Sequence, residues 1–290
     1  MHTIAATRPL HAVFVRCDEP IGRVLHAIQF VGSRGDFTFT IYQKQTARCN
    51  QHPLPGSLPG SAALRIMPLN LGRECAGYLQ FLHDEYYNLP AMTAFLQWGA
   101  EVHMPLPLHT SLGALRNTSG GFFALSKNSF EGRWPTPCEP ADQARALGSC
   151  AEHYWRMAAN GTRRDPSAPP ERFRFYANGL FAVARERVLA HPRALYRLLL
   201  DRMQGRAPLA CVGGVHRPFA SWKNASNLVR AEADCLMLEK MWHIYFGEEP
   251  TLAPPTEYNA WRFPPEYLSM HAKGRTVRAG RIECPITAQK

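Results

Sequence analysis

With 290 residues, 46% of them hydrophobic and 11% aromatic, the chain has enough apolar material for a sizeable core, and its 19% charged content excludes a charge-rich disordered sequence. The net charge of +10 favours anionic partners: nucleotide phosphates, nucleic acid, acidic glycans or an anionic membrane surface. Arg and Lys are scattered rather than gathered in blocks, which argues against a basic tail for nucleic acid, and no apolar run reaches the ~18 residues of a membrane-spanning helix.

His11 to Cys17 is a short apolar run that predicts a buried strand. Pro20 opens a helix carrying Ile21, Val24, Leu25 and Ile28, closed by the turn residues Gly32 to Gly35. Phe37 to Lys44 alternates and predicts a strand; Asn50 to Ser61 reads as an exposed loop. Leu64 to Leu69 predicts a third strand. Asn70 starts a helix to about Tyr87, with Cys75, Tyr78, Leu79, Leu82 and Tyr86 at helical spacing, and Leu89-Pro90 ends it. Met92 to Gln97 predicts a fourth strand. The order strand, helix, strand, strand, helix, strand predicts an α/β domain with a mainly parallel, Rossmann-like sheet flanked by helices.

Further along, a helix is expected over Ala141 to Asn160 and a loop over Gly161 to Pro170. Phe173 to Ala184 is strand material broken at Asn178-Gly179; helical material follows from Arg185 to Met203, restarted at Pro192. Asn224 to Phe246 predicts the longest helix, with one apolar stripe of Leu228, Ala231, Cys235, Leu238, Trp242 and Tyr245. One domain is expected over residues 1–250, followed by an irregular, proline-containing tail over 251–290.

Eight cysteines stand at 17, 49, 75, 138, 150, 211, 235 and 284, none in a C-x-x-C spacing, so a zinc ribbon or thioredoxin-type site is not expected. Cys75 and Cys235 lie in apolar segments and read as buried small hydrophobes; the even count permits disulfides without demanding them. Three N-x-S/T triplets, at Asn117, Asn160 and Asn224, matter only in a secretory lumen. Met1 to Leu10 holds no signal-peptide run, so the sequence as written reads as soluble; an anchor upstream would place it in such a lumen.

In open α/β sheets ligands bind outside the carboxyl ends of the strands, and polar residues collect there in this sequence. Asp18 and Glu19 follow the first strand, Gln43 and Lys44 end the second, and Asn70, Gly72, Arg73 and Glu74 follow the third. Gln97 ends the fourth, with Glu101, His103 and His109 beyond it. Asn70-x-Gly72-Arg73-Glu74 at a helix start suits an anion, with Arg73 on a phosphate; ordinary capping by Asn70 and Glu74 explains it equally. Glu239 sits at the edge of the last helix's apolar stripe, with His243 one turn on; buried, it has a raised pKa and serves as a general base, or it is a structural ion pair. His83, His103 and His109 have no tight metal-binding spacing. There is no P-loop, no G-x-G-x-x-G and no G-x-S-x-G elbow.

The segment from Asn70 to Gln97 carries N-x-G-R-E (Asn70, Gly72, Arg73, Glu74), Tyr78-Leu79, Tyr87-Asn88-Leu89-Pro90 and Phe95-Leu96-Gln97. Later blocks run from Gly179 to Val188, with His191-Pro192 and Tyr196, and over Leu238-Glu239, Trp242 and Phe246-Gly247. These blocks resemble an uncharacterised family, the domain of unknown function three-four-three-one, whose layout looks like that of GT-A glycosyltransferases and is similar to rhamnan-synthesis-type proteins. The resemblance implies a nucleotide-sugar donor at the sheet ends and a glycan or protein acceptor. Arg73 then meets phosphate, Glu239 is the base or positions the acceptor, and Gln97 and His103 line the cleft. Asp18, Lys44, Arg185 and His243 are further binding candidates, and His103 a second catalytic one. The sequence departs from the GT-A pattern at the D-x-D expected after the fourth strand, which reads Leu96-Gln97-Trp98-Gly99. Basic residues then neutralise the diphosphate without metal, other residues hold a manganese or magnesium ion, or the fold is kept as a non-catalytic nucleotide- or carbohydrate-binding domain. A nucleic-acid binder is the reading from another class, with no motif behind it.

Overall fold

The computed structural model describes residues 10–17, 22–32, 37–45, 49, 58, 62–68, 72–115, 118, 121–126, 129–133, 141–160, 162, 164–207, 228–251 and 281–283. In chain order the elements are β1 (Leu10–Arg16), α1 (Gly22–Gly32), β2 (Phe37–Lys44), β3 (Ala62–Met67), α2 (Arg73–Asp84), β4 (Met92–Gln97), α3 (Leu108–Leu115), β5 (Phe122–Ala124) and β6 (Ser129–Arg133). They continue with α4 (Ala141–Asn160), β7 (Arg172–Tyr176), β8 (Phe181–Ala184), α5 (Arg185–Leu189), α6 (Arg193–Met203), α7 (Leu228–Tyr245) and β9 (Arg281–Glu283).

Six strands form one sheet in the order β3-β2-β1-β4-β8-β5. The first four are mutually parallel. The sheet is therefore mostly parallel, but β8 runs antiparallel to both β4 and β5. Successive residues of β1 serve opposite faces, as the strand repeat of two requires. Val13 and Val15 join the core under α2, α4, α6 and α7, while Phe14 joins the core under α1 and α3. Both faces are covered at the centre of the sheet, so β1 and β4 are buried almost throughout, whereas β2 alternates in sequence and the edge strand β3 is largely exposed. The close approach of α2 to β1 depends on Gly77, where a β-carbon would collide with the side chain of Val15.

Phe173 to Ala184, expected as one interrupted strand, divides between two sheets. β7 pairs with β6 in a three-stranded sheet completed by β9, and β8 returns to the large sheet. The switch is made at Asn178 and Gly179, consecutive left-handed residues with φ of 70° and 54°. Within the proline-containing C-terminal segment, β9 pairs parallel to β6 and Thr251 bridges Arg174.

The cysteine expectation needs correction. Cys75 and Cys235 are buried, but as a disulfide between α2 and α7; Cys17 and Cys49 form a second, joining the exits of β1 and β2. Cys150 is also disulfide-bonded, and no described cysteine is free.

Burial holds the pKa of His243 and of half-buried His11 far below the ordinary histidine value. His243 packs on Phe173 and is held down at about 3 by burial, and His11, stacked on Phe81, is held at about 4 by burial and then by the Arg65 charge. Below the ordinary histidine pKa of 6.5 the unfolded chain binds these protons and the folded chain does not, so stability falls as pH drops from 6.5 toward those values. At ~1.4 kcal/mol per pKa unit, His243 alone accounts for a loss on the order of 4 kcal/mol at pH ~3. His243→Phe is expected to move the acid-unfolding midpoint, followed by circular dichroism, to lower pH. An unchanged midpoint places the acid trigger elsewhere.

Candidate functional site

From β1 the chain builds outward through β2 to β3, then crosses to place β4 on the other side of β1. The order reverses between β1 and β4, which opens a crevice beyond their carboxyl ends, where such sheets bind ligands. A cavity of about 450 Å³ lies there, lined by Phe14, Val24, Gln97, Trp98, Glu101 and Leu108 among others. Arg16, at the end of β1, is buried; its guanidinium lies 5.6 Å from the Trp98 ring centre and donates to Gln43 Oε1. The Gln43 amide donates to the carbonyls of Cys17 at 2.6 Å, Lys44 at 2.9 Å and Cys49 at 3.0 Å. Lys44, also buried, donates from Nζ to the carbonyl of Arg73. A polar rim thus runs from Arg16, stacked on Trp98, through hydrogen bonds of Gln43 and Lys44 to the start of α2.

That helix is capped two residues later than the composition predicts. Its N-cap is Gly72 rather than Asn70, with φ of 67° and no side-chain cap. A β-carbon on Gly72 would stand 2.7 Å from Cβ of Met203, so α6 leaves room only for glycine. Arg73 follows with φ of 46°, its side chain 42% exposed and its Nε 3.9 Å from Glu74 Oε2. The Glu74 side chain is only 10% exposed.

Glu239, from the middle of α7, approaches the same spot. Its Oε1 accepts the backbone N–H of Asn178 at 2.5 Å. A β-carbon on Gly179 would lie 3.6 Å from Cγ of Glu239, 3.9 Å from Oε1 of Glu74 and 3.9 Å from Cε2 of Tyr78, so the two carboxylates and the tyrosine ring surround one point of the 177–179 turn. The Tyr78 hydroxyl is buried without a hydrogen-bond partner. Burial and then the Glu74 charge push the Glu239 carboxyl up to about 7, against the pull of Lys240, Arg73 and the Asn178 N–H. The same two influences, burial and the neighbouring carboxylates, raise the Tyr78 phenol. Among the described residues only two non-glycines have positive φ, Arg73 and Asn178, and they flank this pair. Backbone strain of this kind gathers at functional sites.

The Cys75–Cys235 disulfide is part of this arrangement. Cys75 adjoins Glu74, and Cys235 stands one helical turn before Glu239, with Cα atoms 5.6 Å apart. The bond therefore spaces the two helices that carry the two glutamates. Glu74, Cys75 and Cys235 also form the one grouping of three metal-ligand residue types among the described residues. With both sulfurs in the disulfide, that grouping offers an ion a single carboxylate and no thiolate.

Over residues 40–261 the sequence matches a family described as Protein of unknown function (DUF3431). The chain belongs to the DUF3431 family. No curated protein matches it.

In this DUF3431 chain Lys44, Gly72, Arg73, Glu74 and Glu239, distant in sequence, share one part of the rim. Gln97 lines the adjoining cavity, and His103 closes the short 3-10 turn Ala100–Val102 beside it. Arg185 does not join them. Its N–H bonds to the Ala91 carbonyl, and Met92 pairs with Ala184, so Arg185 sits at the amino end of β4, on the opposite edge of the sheet. His243 faces Phe173 and the Pro250 carbonyl. Asp18 and Asn70 lie outside the described residues. Sequence reasoning passed over Tyr78, read as one more stripe residue, and Asn178-Gly179, read as a strand break. It also passed over Arg16, although a charge closing a buried apolar strand was a signal.

Proposed function

We propose that this DUF3431 protein is a glycosyltransferase-like enzyme that moves a sugar from a nucleotide-sugar donor to an acceptor hydroxyl, on a nucleotide-binding α/β sheet of GT-A type. The observation that carries this reading is the Glu74–Glu239 pair, with one carboxyl tuned near neutrality beside the exposed Arg73 at the carboxyl edge. A base poised near the working pH is most effective in taking a proton from a hydroxyl. Glu239 accepts the acceptor's proton as its oxygen attacks the anomeric carbon. The bond from that carbon to the diphosphate oxygen breaks, and the diphosphate leaves with the electron pair. Arg73 and the amino end of α2 face the charge that develops. The cavity beside Trp98 suits a flat ring with a polar edge.

A D-x-D ion does not fit the residues at the end of β4: Leu96 to Gly99 supplies no carboxylate, so diphosphate neutralisation falls to cations of this chain. Thermal-shift measurements with nucleoside diphosphates and nucleotide-sugars, with and without manganese, test the proposal. Stabilisation by a nucleotide-sugar together with slow donor hydrolysis is expected. Binding without turnover makes this a non-catalytic binding domain, and a response to polynucleotide alone, steeply salt-dependent, points to nucleic acid. Arg73→Ala is expected to weaken nucleotide binding by ~10-fold or more while leaving the melting temperature nearly unchanged, since a charge-assisted phosphate contact contributes about 1.5–3 kcal/mol. Intact binding with a large loss of stability makes Arg73 purely structural.

A further inference from the structure

We propose that Asn160 carries an N-linked glycan, and that the protein matures in an oxidising secretory lumen. The first support is the cysteine chemistry. Cys75–Cys235 joins positions 160 residues apart and both sulfurs are fully buried, so the bond forms while the chain folds rather than after it. With Cys17–Cys49 and the disulfide at Cys150, every described cysteine is oxidised. Such a set persists where thiols are not kept reduced.

The second support is independent and local. Asn160-Gly161-Thr162 satisfies the N-x-S/T acceptor pattern. Asn160 is the last residue of α4 and is exposed. Thr162 follows in a turn, with its hydroxyl donating to the Ala159 carbonyl at 3.2 Å. A branched sugar at this helix end meets solvent rather than core. The other two triplets, at Asn117 and Asn224, lie outside the described residues.

Placement also leaves the candidate site open. Thr162 borders a hollow of about 470 Å³ shared with Arg187, Ala190 and Phe246. Those residues cluster about α5, which follows β8 and so begins beside the amino end of β4, whereas Glu74 and Glu239 stand at the carboxyl edge. The glycan therefore projects from the opposite edge of the molecule.

The chemistry is a group transfer from a polyprenyl-diphosphate oligosaccharide, catalysed by the lumenal transferase. Nδ2 of Asn160 forms a bond to the anomeric carbon, the bond from that carbon to the diphosphate oxygen breaks, and the lipid diphosphate leaves with the electron pair. One amide proton is lost to base.

The test uses the full chain purified from its own source, digested without reduction and analysed by peptide mass spectrometry before and after peptide N-glycosidase treatment. The expected result is a Cys75–Cys235 cross-linked peptide together with a glycosylated Asn160 peptide that the enzyme converts to aspartate. Full occupancy of disulfides with an unmodified Asn160 overturns the glycan; free thiols at Cys75 and Cys235 overturn the oxidising lumen. Asn160→Gln is expected to remove the mass increment without shifting the melting temperature. An increment that persists in this variant assigns the glycan to another position and overturns the proposal.

Discussion

Replacing Cys75 and Cys235 together by alanine is expected to lower the unfolding free energy by about 5 kcal/mol, the largest effect of any change considered. The loop they close spans 160 residues, and the chain-entropy description of a cross-link assigns a restriction of that order to so long a loop in the unfolded ensemble. The folded state loses little packing in comparison, because alanine keeps the β-carbons of two buried positions. Denaturant titration without reductant measures the loss. A change below ~1 kcal/mol shows either that the bond is absent in the protein or that other contacts already confine the unfolded chain. A functional readout separates the positioning role from the stabilising one. Under conditions where the double variant remains folded, donor turnover is expected to fall further than donor binding, because the bond spaces α2 from α7 and so Glu74 from Glu239. Equal losses in binding and turnover leave the disulfide as a staple only.

Glu239→Gln is expected to abolish transfer and, at alkaline pH, to stabilise the protein. The carboxyl titrates near 7 in the folded protein, against an ordinary value of 4.5. Because the folded state holds this proton more tightly than the unfolded state, the favourable contribution is complete below pH 4.5 and is lost as pH rises toward 7. At ~1.4 kcal/mol per unit the loss is on the order of 3 kcal/mol by pH ~8. Glutamine keeps an oxygen for the Asn178 N–H, carries no charge beside Glu74 and does not titrate. The variant and parent are thus of similar stability near pH 5, and the variant is the more stable at pH ~8. Melting temperatures across that range decide the matter: parallel profiles would show that Glu239 carries an ordinary carboxylate and would remove the base from the proposed reaction. Retained turnover in the variant would remove it independently.

The motif Asn70-x-Gly72-Arg73-Glu74 shows where local and tertiary information part. The need for a helix start, a glycine and a polar pair is legible in the string, since capping chemistry acts within a few residues. Which residue caps is not. Gly72 does so because α6 brings Met203 against it, a contact between segments more than a hundred residues apart. Glu239 was legible as a carboxylate at the margin of an apolar stripe. Its partner was not, since Glu74 reaches it only through the packing of α2 on α7. Arg185 and His243 show the same limit from the other side. Both stand in polar or motif-rich text, yet strand direction puts Arg185 at the far edge, and a further turn along α7 sets His243 against Phe173 of the smaller sheet.

Short apolar runs and hydrophobic periodicity by themselves determined the strands and helices through residue 97, because run length and the repeats of two and of 3.6 follow from backbone geometry and need no distant partner. Only the tertiary structure decided the pairing of the cysteines, the antiparallel insertion of β8 beside β4, and the meeting of Glu74 with Glu239 around Tyr78. Each of these depends on which distant segments come into contact. Burial and proximity raise the Glu239 carboxyl, and both are properties of that packing.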